Sequence, residues 1–246
     1  MGLRPVLSAS VVVLAAAVLP QLDVPNATAA DERLHFSVDN GETLQSGTTV
    51  TDTSGNDYDG KVRTANGGAL RVSSGTSNAV RFPRPCSTQP CPVGLIEVAD
   101  RDGLDPGYAP FSWRARVLLQ RSETSAGANL VQKGLWGNPG GQWKLQVDGE
   151  EGKPSCVVSG KRDGTYRRAI VKSSVTVADG KWHTVMCRRT TTTVAILVDG
   201  VVKGSATMAA VLLSSTANVT IGAKSTTAED PDQYHGVLDD VVVRLD

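Results

Sequence analysis

From Leu34 onward the chain repeats one pattern: short apolar runs of period two, each stopped by Gly, Asn, Asp, Ser or Pro. The clearest run is Phe111 to Leu119, where Phe111, Trp113, Ala115, Val117 and Leu119 share one face and Ser112, Arg114 and Arg116 the other. Such a stretch predicts a long, half-buried strand. Leu34 to Val38 alternates in the same way and stops at Asp39-Asn40-Gly41. Further strands are predicted at Ala69–Val72, Ala79–Phe82, Val93–Val98, Asn129–Lys133, Trp143–Val147, Ser155–Ser159 and Arg167–Val171. Trp182–Arg188, Val194–Val198, Val201–Lys203, Val219–Ile221 and Val237–Leu245 complete the set. Hardly any stretch holds apolar residues at helical spacing, so the class is all-β, with two stacked antiparallel sheets. Asp179 to Gly200 reads as one hairpin, with Asp-Gly pairs at its start and end.

The first thirty residues follow another rule. Arg4 supplies a short basic start, Val6 to Leu19 is almost wholly apolar, and Ala27-Thr28-Ala29 offers a small-x-small cleavage pattern. Residues 1–30 are therefore expected to be a signal peptide and 31–246 a single secreted domain. The apolar run is shorter than the roughly 18 residues a spanning helix requires, so no membrane insertion is expected after cleavage. Lys plus Arg number 25 and Asp plus Glu number 25, a balance that gives no overall field toward nucleic acid or an anionic membrane. The four cysteines, Cys86, Cys91, Cys156 and Cys187, all follow the leader, and in an exported chain an even count favours disulfides. Of three formal pairings the expected one is 86 with 91, a small loop, and 156 with 187, on two strands able to lie side by side. In the chain-entropy account the second closure is worth about 3.7 kcal/mol and the first about 2.2 kcal/mol. His35, His183 and His235 are scattered and give no zinc spacing.

The Asp179–Gly200 stretch, with D-G-x-W-H-x-V followed by a strand ending V-D-G, resembles the laminin G-like, concanavalin A-like domains of secreted bacterial proteins. Asp52-x-Ser54-Gly55-Asn56 before Gly60, Val131-Gln132-Lys133-Gly134, and Gly236-x-Leu238-Asp239-Asp240-Val241 resemble further segments of that family, in order. The positions of Cys156 and Cys187 are similar to its disulfide-bearing branch. The resemblance implies a concanavalin A-like β-sandwich, or jelly roll, that binds a glycan or an extracellular protein. Trp182 is expected to anchor the sheet interior, and His183 beside it reads as hydrogen-bonded structure rather than a general base.

Enzymes share this superfold, so chemistry has to be sought in side chains. Glucanases of this architecture carry E-x-D-x-E on one strand. Here Gln146-x-Asp148-x-Glu150 has an amide in the nucleophile's place and Gly149 at a turn. Arg121-Ser122-Glu123 and Gln146-Val147-Asp148 partly resemble alginate-lyase motifs, but Asp148 stands where that pattern needs His. No G-x-S-x-G elbow occurs. The expectation is a non-catalytic lectin-like module. A polysaccharide lyase or glycoside hydrolase of the same superfold is the alternative, and a cell-surface interaction protein the third reading. Aromatics in turn-rich segments are the expected ligand contacts: Tyr58, Tyr108, Trp136 with Asn138, and Tyr234 with Asp232 and Gln233. A structural calcium ion, bridging the first and last strands in resembling domains, is expected at Asp39 with Asp239 or Asp240.

Overall fold

A computed structural model of the protein describes residues 32–37, 43–73 and 79–246. The expected signal peptide at 1–30 and the candidate ligand Asp39 lie outside the described residues. Seventeen strands occur among those described. The first seven are β1 (Glu32–Phe36), β2 (Thr43–Leu44), β3 (Thr49–Val50), β4 (Gly60–Ala65), β5 (Leu70–Ser73), β6 (Ala79–Arg81) and β7 (Val93–Val98). Next come β8 (Phe111–Leu118), β9 (Gly127–Lys133), β10 (Gln142–Asp148), β11 (Lys153–Arg162) and β12 (Thr165–Lys172). β13 (Trp182–Arg189), β14 (Thr193–Val198), β15 (Val201–Thr207), β16 (Val219–Ile221) and β17 (Val237–Leu245) close the set. No helix among the described residues is long and apolar enough to cross a membrane.

The strands form two antiparallel sheets. One runs β15-β14-β13-β8-β17-β6-β5-β2, with β1 beside the far half of β17. The other runs β12-β11-β10-β9-β16-β7-β4-β3. β8 has the alternation read from the sequence: Phe111, Trp113, Ala115 and Val117 are buried in the core, while Arg114 and Arg116 face outward. Trp143 of the opposite sheet meets this row, at 6.1 Å from Phe111 and 5.8 Å from Trp113 between ring centroids. Beside these rings the Cys156–Cys187 disulfide joins β11 to β13. The pairing is as the sequence suggested, but the two strands lie in opposite sheets rather than side by side, so the bond staples the sandwich through its core. Cys86–Cys91 closes a surface loop.

Each sequence motif acquires a physical role. Asp52 folds the 52–59 loop around its carboxylate, which accepts N–H groups of His35, Ser54 and Tyr58 at 2.9 to 3.0 Å. Lys133 is buried at the end of β9, where its ammonium donates to Asp100, Asp105 and the Ser215 carbonyl. In the 179–200 hairpin, Asp199 turns with a φ of 52° and its Oδ2 lies 2.7 Å from His183 Nδ1. Asp179 Oδ1 lies 3.1 Å from His183 Nε2, so both Asp-Gly turns grip the same ring. Trp182 is not a core anchor. It stands on the outer face of β13, with the Arg116 guanidinium 5.0 Å from its ring centroid, because the inward positions of this strand are Val185, Cys187 and Arg189.

Removing the core staple by Cys156→Ala with Cys187→Ala is expected to cost about 3.7 kcal/mol in urea unfolding, against about 2.2 kcal/mol for Cys86→Ala with Cys91→Ala. The reverse order would contradict the structural assignment of the two bonds. The His183 clamp predicts a pH dependence. Burial lowers the imidazole, but hydrogen bonds to Asp199 and Asp179 more than offset it and leave its pKa raised. Its contribution is therefore complete below the ordinary value of about 6.5 and fades as pH rises through the folded value. Both aspartates are held below the carboxylate range, so their share is present above about pH 4 and fades as pH falls through their folded values. The stability gap between wild type and His183→Gln should be wider at about pH 5.5 than at about pH 8.5. An equal gap would mean the clamp is not charged.

Candidate functional site

The same alternation that fills the core dictates what faces outward. On β10, Trp143, Leu145 and Val147 point into the sandwich, so Gln142, Lys144 and Gln146 stand together on the outer face. Register sets Lys144 between Gln132 on β9 and Val157 on β11, and sets Gln132 opposite Thr220 on β16. The result is an outer surface of long polar side chains in the middle of a sheet. It is not flat against water. Leu135 and Trp136 of the loop after β9, with Lys224 and Asp232 of the segment between β16 and β17, wall it into a depression of about 330 Å³.

Its floor is polar and poorly satisfied. Gln132 is buried and gives its Nε2 to the Gly134 carbonyl at 3.3 Å, while its Oε1 has no protein partner. Thr220 Oγ1 beside it, and Oδ1 of the buried Asn129, are likewise without a protein partner. Buried polar atoms in folded proteins are normally paired, so the orphaned oxygen of Gln132 in the lining of an open depression is a place prepared for a donor from outside. Gln142 Nε2 also reaches the Gly134 carbonyl, at 3.4 Å, and Gln146 Nε2 donates to Ser155 Oγ at 3.3 Å.

Trp136 is 52% exposed at the rim. Its position is fixed rather than free: Tyr166 packs edge-on at 5.1 Å between centroids and the Arg168 guanidinium sits 4.0 Å from its ring centroid. Tyr166 also accepts the Gly137 N–H at 3.1 Å, tying the loop to β12. On the other wall Asp232 turns with a φ of 49° and pairs with Lys144 at 2.7 Å and Lys224 at 3.2 Å. Burial raises the Asp232 carboxyl, and the two lysines more than offset that, holding it below the usual carboxylate range.

The other sequence candidates separate. Asn138 shares the Trp136 loop and is exposed. Tyr108 is 49% exposed but lines no part of this depression. Tyr58 is half-buried and packs against the core. Tyr234 is corrected outright: it is 0% exposed, its hydroxyl donates toward the Leu118 and Val237 carbonyls, and burial, with Glu123 nearby, pushes its phenol well above the ordinary value. Its neighbour Asp232 is the residue of that segment that reaches the site. Gln233 is used in scaffold, donating to the Gly222 and Tyr234 carbonyls and accepting the Gly94 N–H.

Asp239 and Asp240 do not suit calcium. Arg116 lies 3.0 Å from Asp239, and Arg114 and His35 lie 3.2 and 2.9 Å from Asp240, so cations already occupy these carboxylates. No cluster of three or more His, Cys, Asp or Glu able to hold a metal occurs among the described residues. The bulge that puts Asp240 at a φ of 49° serves the ion pairs that lock β1, β8 and β17 together. Glu123, from the partial lyase motif, is buried and bound to Arg81 at 2.7 Å.

A larger cleft of about 790 Å³ opens between the Cys86–Cys91 loop, residues 124–127 and residues 226–235. Its lining is mostly proline and small residues, and none of the orphaned buried polar atoms faces it. His235 there donates its Nδ1–H to the Pro83 carbonyl, 2.7 Å away, and burial lowers its pKa.

Two sheets of this topology packed face to face, with an open polar face on one, define the concanavalin A-like class of sandwich domains. The chain belongs to the Laminin_G_3 family, described as the concanavalin A-like lectin/glucanases superfamily, which it matches over residues 96–244. No curated protein sequence matches it significantly. Among solved structures it is similar to the binding domain of botulinum neurotoxin serotype C1, with a TM-score of 0.60 and 14% identity over 88% of this chain and 49% of that one. The serotype D binding domain gives a TM-score of 0.57 at 13% identity over 88% and 48%. The binding domain of botulinum neurotoxin DC in complex with rat synaptotagmin II gives 0.58 at 12% over 89% and 49%. The chain thus spans about half the length of these structures, and the likeness is one of fold.

If the Gln132 amide is not there for stability, Gln132→Met should change the unfolding free energy by about 1 kcal/mol or less, because one weak hydrogen bond is lost as an unpaired oxygen is removed. A loss of several kcal/mol in urea unfolding would make Gln132 a structural residue.

Proposed function

We propose that the protein is a secreted, non-catalytic binding module that takes a glycan on the outer face of β9, β10 and β11. The observation that carries this reading is the unpaired oxygen of Gln132 in the lining of a polar depression whose rim holds the exposed, rigidly fixed Trp136. A sugar has the matching surface: a hydroxyl donor for the oxygen and an apolar ring face for the indole. The family agrees in kind with such a ligand, as do two structural neighbours: the botulinum neurotoxin DC binding domain in complex with SialylT, and botulinum neurotoxin type C, whose cell entry depends on interaction with two ganglioside molecules. The apolar leader and the two disulfides support secretion.

A glycan-cleaving enzyme of the same fold has less to work with. Asp232 is the one acid among the residues lining the depression, and two lysines hold it ionised. A retaining or inverting hydrolase needs a second carboxyl facing the first across the sugar.

A glycan array probed with the chain lacking its leader, with reaction products monitored, tests the reading. Trp136→Ala should weaken the glycan signal about 30-fold, the loss of an aromatic anchor worth ~2 kcal/mol, with the melting temperature nearly unchanged. Binding unaffected by Trp136→Ala would remove the site from this face. Release of shorter glycans would overturn the non-catalytic assignment.

A further inference from the structure

Resting on that reading, we infer that the glycan is acidic and that Lys144 and Lys224 receive its anionic group, a carboxylate or a sulfate, beside Asp232. The depression is electrostatically unbalanced. Among its lining residues are two lysines and one aspartate, and the Arg168 guanidinium lies 4.0 Å from the ring centroid of Trp136. Arg168 has no carboxylate within 4.0 Å among the described residues.

Donor counting leads to the same conclusion. An ammonium has three N–H donors and no acceptor. Lys144 Nζ, whose side chain is only 9% exposed, gives one to Asp232 Oδ2 at 2.7 Å. Lys224 Nζ lies 3.2 Å from Asp232 Oδ1. One carboxylate therefore sits between two ammoniums, and the donors left over have no protein acceptor among the described residues. Neighbouring amide oxygens do not fill the role: Gln132 Oε1 has no protein partner, and no hydrogen bond joins Gln142 or Gln146 to either ammonium.

Partial burial makes this arrangement costly without a ligand and favourable with one. An unpaired charge in a low-dielectric recess is poorly solvated, and an anion entering there is screened less than at an open surface. A neutral sugar would satisfy the Gln132 oxygen and stack on Trp136 but leave the excess positive charge unanswered. An acidic sugar meets all three demands at once. Asp232 keeps the two lysines from repelling each other, fixes their spacing, and ties the 223–233 loop to β10.

The test is isothermal titration of the folded chain lacking its leader against three polymers: a polyuronate, a sulfated polysaccharide and a neutral dextran. The proposal expects one or both anionic polymers to bind, the dextran not to, and binding to weaken as salt is raised. Preference between the first two identifies carboxylate or sulfate as the group recognised. Lys224→Gln should reduce binding by about tenfold, and Lys224→Arg should restore most of it. Lys224 is used for this because it is more exposed than Lys144, and melting curves of both variants check the fold. Equal, salt-insensitive binding of dextran, abolished by Trp136→Ala, would overturn the acidic ligand and leave the glycan reading standing. Binding of anionic polymers that Trp136→Ala and Lys224→Gln both leave intact would place them elsewhere and overturn the inference. No binding to any polymer or arrayed glycan would overturn both.

Discussion

The structure depends on two sheets sharing one apolar layer. Phe111 and Trp113 from one sheet and Trp143 from the other fill the middle of that layer, and the Cys156–Cys187 bond crosses it. Once those inward positions are spent on packing, strict alternation leaves every second residue outside. The outer faces are therefore where this sequence has latitude. The two faces use it differently. Outside β8 and β17 the charged side chains neutralise each other, Arg114 with Asp240 and Arg116 with Asp239. Outside β9 and β10 amides and lysines are sunk beneath loops with their hydrogen-bonding capacity unfilled.

This division explains why family motifs and function part company. The D-G-x-W-H strand, the D-x-S-G-N loop, the final L-D-D strand and Lys133 of the V-Q-K-G segment are all scaffold. They use carboxylates and ammoniums to pin loops, turns and strand ends, by His183 between two aspartates, Asp52 under its own loop, and Asp240 between His35 and Arg114. Only Gln132, from inside one of these segments, also faces the depression. The residues most useful for placing the chain in its family are thus the ones least informative about its ligand.

Legibility followed the same line. Period-two patterning placed β8, β13 and β14 almost to the residue, because burial on one face is a one-dimensional signal. β4 was missed: Gly60 to Ala65 carries one long apolar residue, Val62, and its strand character comes from pairing with β7. Trp136 was visible as an aromatic in a Gly-rich turn. Tyr234 looked the same in sequence and is core, since a loop can dive inward when its hydroxyl finds carbonyls at the bottom. Gln142, Lys144 and Gln146 were written plainly in the alternation of β10, as three long polar residues on one side of a central strand. Asp232 was visible only as a companion of Tyr234, and Lys224 not at all, because only the return of a distant loop brings Asp232 within hydrogen-bonding distance of Lys144 and Lys224.

The pairing of β1 with β17 carries one more consequence. Glu32 lies across from Arg244, so the earliest described strand closes on the latest, and β8 likewise has β13 and β17 as its neighbours. The sheet that holds the core aromatics cannot be finished until Val237–Leu245 has been made. Contacts of such long range make assembly slow and all-or-none. Until β17 has been made the nascent chain has no native nine-stranded sheet, and completion waits on the arrival of that one strand.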